Sequence, residues 1–169
     1  MHKQQTILIA GGTGNVGGGA AVSLAKRGAH VVLLGRKLEK LEARAAAIQA
    51  GLKPVNGNPP QAKIDTLVVD FTDLDDVRRA AKEALDRFPR IDGLILSVVT
   101  LIQGGPTILP NGHEIMFATN VLGPFLFTQL LIERFKASDG LILHVVVRFH
   151  KDIDWDDLES LEDHNTDDA

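Results

Sequence analysis

The run Ile7–Gly19, ILIAGGTGNVGGG, constrains the fold more than any other stretch. An apolar segment stops at Gly11. Gly11, Gly14 and Gly17 follow at equal spacing, and AAVSLAKRG then reads as a helix. Strand, glycine turn and helix in this order is the layout that holds a dinucleotide diphosphate. A tight turn at a strand end needs residues that tolerate positive φ, as glycine does. Missing side chains let main-chain amides approach phosphate oxygens. The helix that begins near Asn15 aims its positive dipole end at the same place. The candidate ligand contacts are Gly11, Thr13, Gly14, Asn15, Val16 and Gly17. A glycine turn without a ligand is the alternative, and the strand and helix flanking it weigh against that reading.

From this start the chain alternates regularly. Thr6–Ala10 reads as the first strand, and the first helix runs from about Asn15 to Arg27, with Val16, Ala20 and Leu24 as its buried stripe. Gly28 stops it. His30–Leu34 is the second strand, and Leu38–Ala50, rich in Ala, Glu, Lys and Leu, is the second helix. The stretch 52–63 holds three prolines and a glycine and reads as a long loop. Ile64–Val69 is the third strand. Thr72 or Asp73 caps a helix that reaches about Phe88. Ile91–Val99 is the fourth strand. A helical region from about His113 to Lys136 follows, with Pro124 expected to kink or split it. Asp139-Gly140 turns the chain into a fifth strand, LILHVVV. Such alternation predicts an α/β fold with a doubly wound parallel sheet of about five strands, helices covering both faces.

The second strand ends at Gly35-Arg36-Lys37, about where an acidic residue would accept hydrogen bonds from an adenosine ribose. Arg36 and Lys37 stand there instead, and two cations suit the 2′-phosphate of NADP. Solvated charges opening the next helix are the alternative. Asp70, with Phe71 after it, closes the third strand on the edge where ligands sit. Asp70 could accept a hydrogen bond from an adenine amino group or serve the helix start, and the residues favour neither.

A length of 169 residues predicts a single domain. We expect residues 1–149 to form it, and residues 150–169, with nine Asp or Glu, to be a partly ordered acidic tail. Asp152, Asp154, Asp156 and Asp163 echo a calcium loop, but Asp157 stands where that loop needs glycine, so no metal site is expected. His113, His144 and His150 lack ligand spacing. A net charge of -4 argues against nucleic acid as a partner. No apolar run approaches the roughly 20 residues that cross a bilayer, so no membrane span is expected. MHKQQ leads straight into the first strand, so no signal peptide is expected, and a chain without cysteine leaves a cytoplasmic setting as the default.

From Thr6 to Leu158 the chain resembles the short-chain dehydrogenase/reductase family, in its retinol-dehydrogenase-like branch. RGAHVVLLGRKLEKLEA, VVDFTDLDDV, DGLIL, NGHEIMFATNVLGPFLFTQLL and WDDL carry the resemblance, in order and with matching spacing. It implies a Rossmann-type three-layer α/β/α fold and carbonyl or alcohol chemistry on a lipophilic substrate, while Arg36 and Lys37 lead us to expect NADP(H) in preference to NAD(H). The departures matter as much. Ala10 stands where the family usually has Thr. Ser97, Val98, Val99 and Thr100 match its Asn-Asn-Ala-Gly segment, which leaves Ser97 as a candidate cofactor contact. Val146 and Val147 match its catalytic serine. Only Asn120 matches a member of its catalytic group. The Tyr-x-x-x-Lys motif would follow WDDL, but the sequence contains no tyrosine.

Proton delivery in that family rests on the missing tyrosine and lysine, and such acid–base help is worth about 10²- to 10⁴-fold. The expectation is an oxidoreductase-like chain, truncated before the motif, with little or no turnover by itself. A nucleotide-binding pseudoenzyme or a scaffold completed by a partner chain is the other reading. The fifth strand is apolar on both faces, an edge that invites pairing. The helix bearing Phe117, Val121, Phe125, Leu126, Leu130 and Ile132 lies where the family dimerises. A homodimer or larger assembly through either surface is expected.

Overall fold

The computed structural model describes residues 4–54, 61–146 and 153–161. Strand β1 (Thr6–Ala10) leads through the glycine turn into helix α1 (Asn15–Lys26), followed by β2 (His30–Gly35) and α2 (Leu38–Gly51). Strand β3 (Lys63–Val68), α3 (Leu74–Arg87) and β4 (Gly93–Leu96) come next. The long helical region follows in three parts: α4 (Ile115–Phe117), a π-helical segment (Ala118–Leu122) and α5 (Gly123–Ser138). Strand β5 (Leu141–His144) closes the series. The five strands form one sheet in the order β3-β2-β1-β4-β5, and every pairing is parallel.

Alternation along the central strands builds two cores. Leu8, Ala10, Val32, Leu34, Leu94 and Leu96 face α3 and α5, meeting Val77, Ala80, Ala84, Phe127, Leu131 and Phe135. Ile7, Ile9, Val31 and Leu33 face the other way, onto Ala21 and Ala25 of α1 and Leu41 and Ile48 of α2. A strand apolar on both sides is what a central parallel strand requires.

The expected stripe on α1 is displaced. Val16 is exposed and Ala20 and Leu24 are half-buried, while Gly17, Gly18, Ala21 and Ala25 form the buried face. The helix approaches the sheet through its small residues, which carry little hydropathy signal. Asp73, not Thr72, caps α3, its carboxylate accepting from the Asp75 and Asp76 amides. The Thr72 hydroxyl donates to Asp70.

Strands β4 and β5 are shorter than their apolar runs, because only four positions of each find a partner. Val146 lies beyond β5 and Val147 lies outside the described residues. Helix α5 ends at Asp139 in the left-handed region, φ 54°, and the Gly140 amide closes onto the Phe135 carbonyl.

Within the 24-residue helical run 115–138 an 18-residue window has a mean hydropathy of 1.7, so by length and composition it could cross a membrane. This corrects the expectation that the chain holds no such segment. Here the run serves as a core helix, with Phe127, Leu131 and Phe135 packed under α3. Residues 153–161 form no regular element and dock through Glu159, which accepts from the Glu114 amide at 2.7 Å.

Candidate cofactor site

The glycine turn divides its work among its members. Gly11 adopts φ +74°, and a Cβ there would lie 2.5 Å from the Ser97 carbonyl oxygen. A Cβ on Gly17 would lie 2.5 Å from both the Gly11 carbonyl oxygen and the Ser97 hydroxyl. These two glycines let the first turn of α1 lie directly on β1 and β4. Gly14 is exposed, and its amide donates to the Gly11 carbonyl at 2.9 Å. The first intrahelical bond runs from Gly18 N to Gly14 O at 2.9 Å. The amides of Asn15, Val16 and Gly17 therefore head the helix without intrahelical acceptors. No side chain caps this helix and no acidic residue stands in its first turn. A helix end left open in this way suits an anion.

At the end of β2, Thr13, Gly35, Arg36, Lys37, Lys40 and Leu41 line a cavity of about 160 Å³. The structure thus joins the turn residue Thr13 to both expected cations. Lys40 is a third cation that the sequence reading missed. No local spacing signals it, because Arg36 precedes the Lys37 N-cap and lies outside α2.

The remaining candidates line the same sheet edge in different ways. Asp70 Oδ1 accepts from the Thr72 amide at 3.0 Å and the Thr72 hydroxyl at 2.8 Å, while its own amide donates to Asp76 Oδ2. These bonds favour the helix-start role. Burial would raise the Asp76 carboxyl, but bonds from Arg79 and from the Asp70 amide outweigh it and hold the group below its ordinary range. Phe71 points into the core, edge-on to Phe127, so only its main chain lies at the strand end. Ser97 donates its hydroxyl to the Ala10 carbonyl at 2.9 Å, and so floors the glycine turn.

Asn120 sits in the π-helical segment and clasps the main chain of Thr100. Its Oδ1 accepts the Thr100 amide at 2.7 Å and its Nδ2 donates to the Thr100 carbonyl at 2.8 Å. Both functional groups are spent on positioning the loop after β4. That loop returns to α4 through Glu114, a buried carboxylate that caps the Met116 and Phe117 amides. Glu159 then bridges the Glu114 amide and His113 Nδ1, the latter at 3.0 Å. Burial would raise Glu159, but these two bonds hold it low. Val146 is 78% exposed, just past β5. Among the described residues, no group of three His, Asp or Glu side chains converges as a metal site would require.

Comparison with known proteins agrees with this geometry. The family model for short chain dehydrogenase matches residues 5–149. Mouse retinol dehydrogenase 14 is 32% identical over 171 residues, covering 98% of this chain and 51% of that protein. Human retinol dehydrogenase 13 is 28% identical over 157 residues, covering 91% of this chain and 45% of that protein. The chain thus spans about half the length of these curated relatives. Among solved structures, a metagenomic short-chain oxidoreductase in complex with NADP superimposes with a TM-score of 0.72 at 25% identity, over 88% of this chain and 64% of that one. A Salmonella enterica short chain dehydrogenase gives a TM-score of 0.66 at 27% identity, over 83% and 57%. A parallel sheet in this order, a glycine turn heading α1 and a family match along most of its length make the chain a member of the short-chain dehydrogenase/reductase family of oxidoreductases, in its retinol-dehydrogenase-like branch.

Proposed function

We propose that this chain binds NADP(H) in preference to NAD(H), as the cofactor-holding part of a retinol-dehydrogenase-like oxidoreductase. The observation that carries the reading is the cavity joining Thr13 to Arg36, Lys37 and Lys40 at the end of β2. A guanidinium and two ammonium groups around one small space suit a phosphate dianion, and among the described residues no carboxylate lines that space to accept a ribose hydroxyl instead. The Asn15, Val16 and Gly17 amides would take the diphosphate, and Gly11, Gly14 and Gly17 keep the approach clear. Ser97 fixes the turn from below, and Asp70 and the Phe71 main chain border the adenine side. The NADP-bound metagenomic relative supports the choice of ligand.

When bound, such a cofactor supplies or takes a hydride at a carbon bearing the substrate oxygen. The residues of this chain bind and orient it. They hold no phenol to move the matching proton, because the sequence contains no tyrosine. Valine stands at 146, where the resemblance expects a serine hydroxyl. Asn120 orders the Thr100 loop beside the site. We therefore infer little or no turnover by this chain alone, with a lipophilic alcohol, aldehyde or ketone as the substrate class of the branch. A nucleotide-binding pseudoenzyme is the second reading, favoured by Val146. Homo-oligomerisation through α5 or the β5 edge completes the proposal.

Calorimetry tests the cofactor reading. NADPH is expected to bind more tightly than NADH, and Arg36→Gln should weaken NADPH by roughly tenfold while leaving NADH unchanged. Equal affinity for both, or a preference for NADH, overturns it.

A further inference from the structure

A second, larger cleft of about 750 Å³ opens at the other end of the sheet, where the strands begin. Its walls include Gln4 and Gln5 before β1, Gln61 before β3, Arg90 and Asp92 before β4, and Arg27 at the end of α1. The volume lies in the range of small-molecule sites, about 300–1,000 Å³.

The walls are fixed by hydrogen bonds. Gln4 Nε2 donates to the Gly28 carbonyl at 2.9 Å and to the Gln61 carbonyl at 2.6 Å, tying the chain start to the α1–β2 turn and to the approach to β3. The Asp92 side chain is 5% exposed. Its Oδ2 accepts from the Thr6 amide and its Oδ1 from Arg90 Nε. Arg90 Nη2 donates to the Ser138 carbonyl at 2.8 Å. The one carboxylate on the wall is therefore spent, and the Arg90 guanidinium is held rigid.

Arg27 is different. The last carbonyls of α1 already have donors: Leu24 O takes the Arg27 and Ala29 amides, and Ala25 O takes the Gly28 amide. Among the described residues the Arg27 guanidinium has no hydrogen-bond or ion-pair partner. Asp92 and Arg90 neutralise one another, so the lining carries one net positive charge, on Arg27, with Gln5 also on the wall. Arginine pairs well with carboxylate and phosphate oxygens, because its planar fork matches their geometry.

We propose that this cleft binds a small anion bearing carboxylate or phosphate groups through Arg27, independently of the cofactor. The two ends are well separated: α1 runs Asn15–Lys26 between them, roughly 18 Å at 1.5 Å per residue.

The test is isothermal titration of the full chain with citrate and, separately, with inorganic pyrophosphate, in a constant chloride background. It is run on the parent chain, Arg27→Gln and Arg36→Gln. Binding of at least one anion that persists in Arg36→Gln is expected, since pyrophosphate also suits the glycine turn and the Arg36 cavity. The better of the two in that variant identifies carboxylate or phosphate as the preferred group. Arg27→Gln should weaken it by roughly fivefold or more, while Arg36→Gln, at the other end of α1, leaves it unchanged. Arg27 is exposed, so its variant should fold, and a thermal melt checks that. Absence of heat from both anions up to about 10 mM overturns the proposal. So does binding indifferent to Arg27→Gln, or binding lost only in Arg36→Gln.

Discussion

Gly17 and Gly19 sit two residues apart in one helix, yet a methyl group would act on them in opposite ways. At Gly17 it would press on the Gly11 carbonyl and the Ser97 hydroxyl, while at Gly19 it would meet nothing within 4 Å. Gly17→Ala should destabilise the fold by about 1–3 kcal/mol through overpacking. Gly19→Ala should stabilise it by about 0.5–1 kcal/mol through helix propensity alone. Urea midpoints of the two variants should therefore lie on opposite sides of the parent, and the same sign for both would refute this division of roles. Charge at the residue scale has its own signature in Asp65, which accepts from His30 Nε2 and Lys63 Nζ, both at 2.8 Å. Burial would raise its carboxyl, but the bonds from Lys63 and His30 win and hold it below 3.8. A lowered folded-state value makes the ionised form stabilising. That contribution is fully present above about pH 4, the ordinary aspartate range, and fades as pH falls below it. With Lys63 well exposed, Asp65→Asn should cost about 0.5–1 kcal/mol at neutral pH. The gap between parent and variant should close in acid, and a gap that persists at about pH 2 would show the bonds not to be ionic.

At the scale of elements, the order of strands and helices was legible because apolar runs, glycine stops and an aspartate cap punctuate the chain. Their extents were not. Val98 and Val99 continue the apolar run of β4, but a strand lasts only as long as its neighbour, and β5 pairs over four positions. The buried face of α1 was misread because two of its members are glycines. Lys40 escaped notice because its closeness to Thr13 depends on how α2 is set against the turn, which no local pattern encodes. That Thr13 and Arg36 lie at one end of the sheet was legible, because the β1 and β2 strand ends that carry them are neighbours in a parallel sheet. Asn120 was singled out by the resemblance, which does not encode its bonding. Its two bonds to Thr100 tie the π-helical segment to the loop after β4, and such segments often mark functional positions. Asn120→Ala should cost about 1–2 kcal/mol and raise hydrogen exchange at the Thr100 amide. Unchanged protection at that amide would mean the loop is held by something else.

For the molecule as a whole, apolar surface is unevenly covered. The central strands are sealed on both faces, but Val121 is 51%, Phe125 58% and Leu130 39% exposed along the helical run, and on β5 Leu141 is 71% and Leu143 49% exposed. These are two separate surfaces. Ile142 packs into the core beneath α5, so by strand alternation Leu141 and Leu143 face the opposite side of the sheet. A second copy packed helix against helix would bury the first surface, whereas strand pairing would cover the second and use the open main chain of β5. Val121 and Phe125 are one turn apart on a single face, and α5 is a long element, so the helical contact is the stronger expectation. Light scattering should give a mass above the 18.3 kDa of one chain. Phe125→Glu should reduce it to the single-chain value, because a carboxylate desolvated at such a contact is costly, while Leu143→Glu should leave it unchanged. The reverse pattern would assign assembly to the strand edge, and a parent chain that is already a monodisperse monomer would remove both.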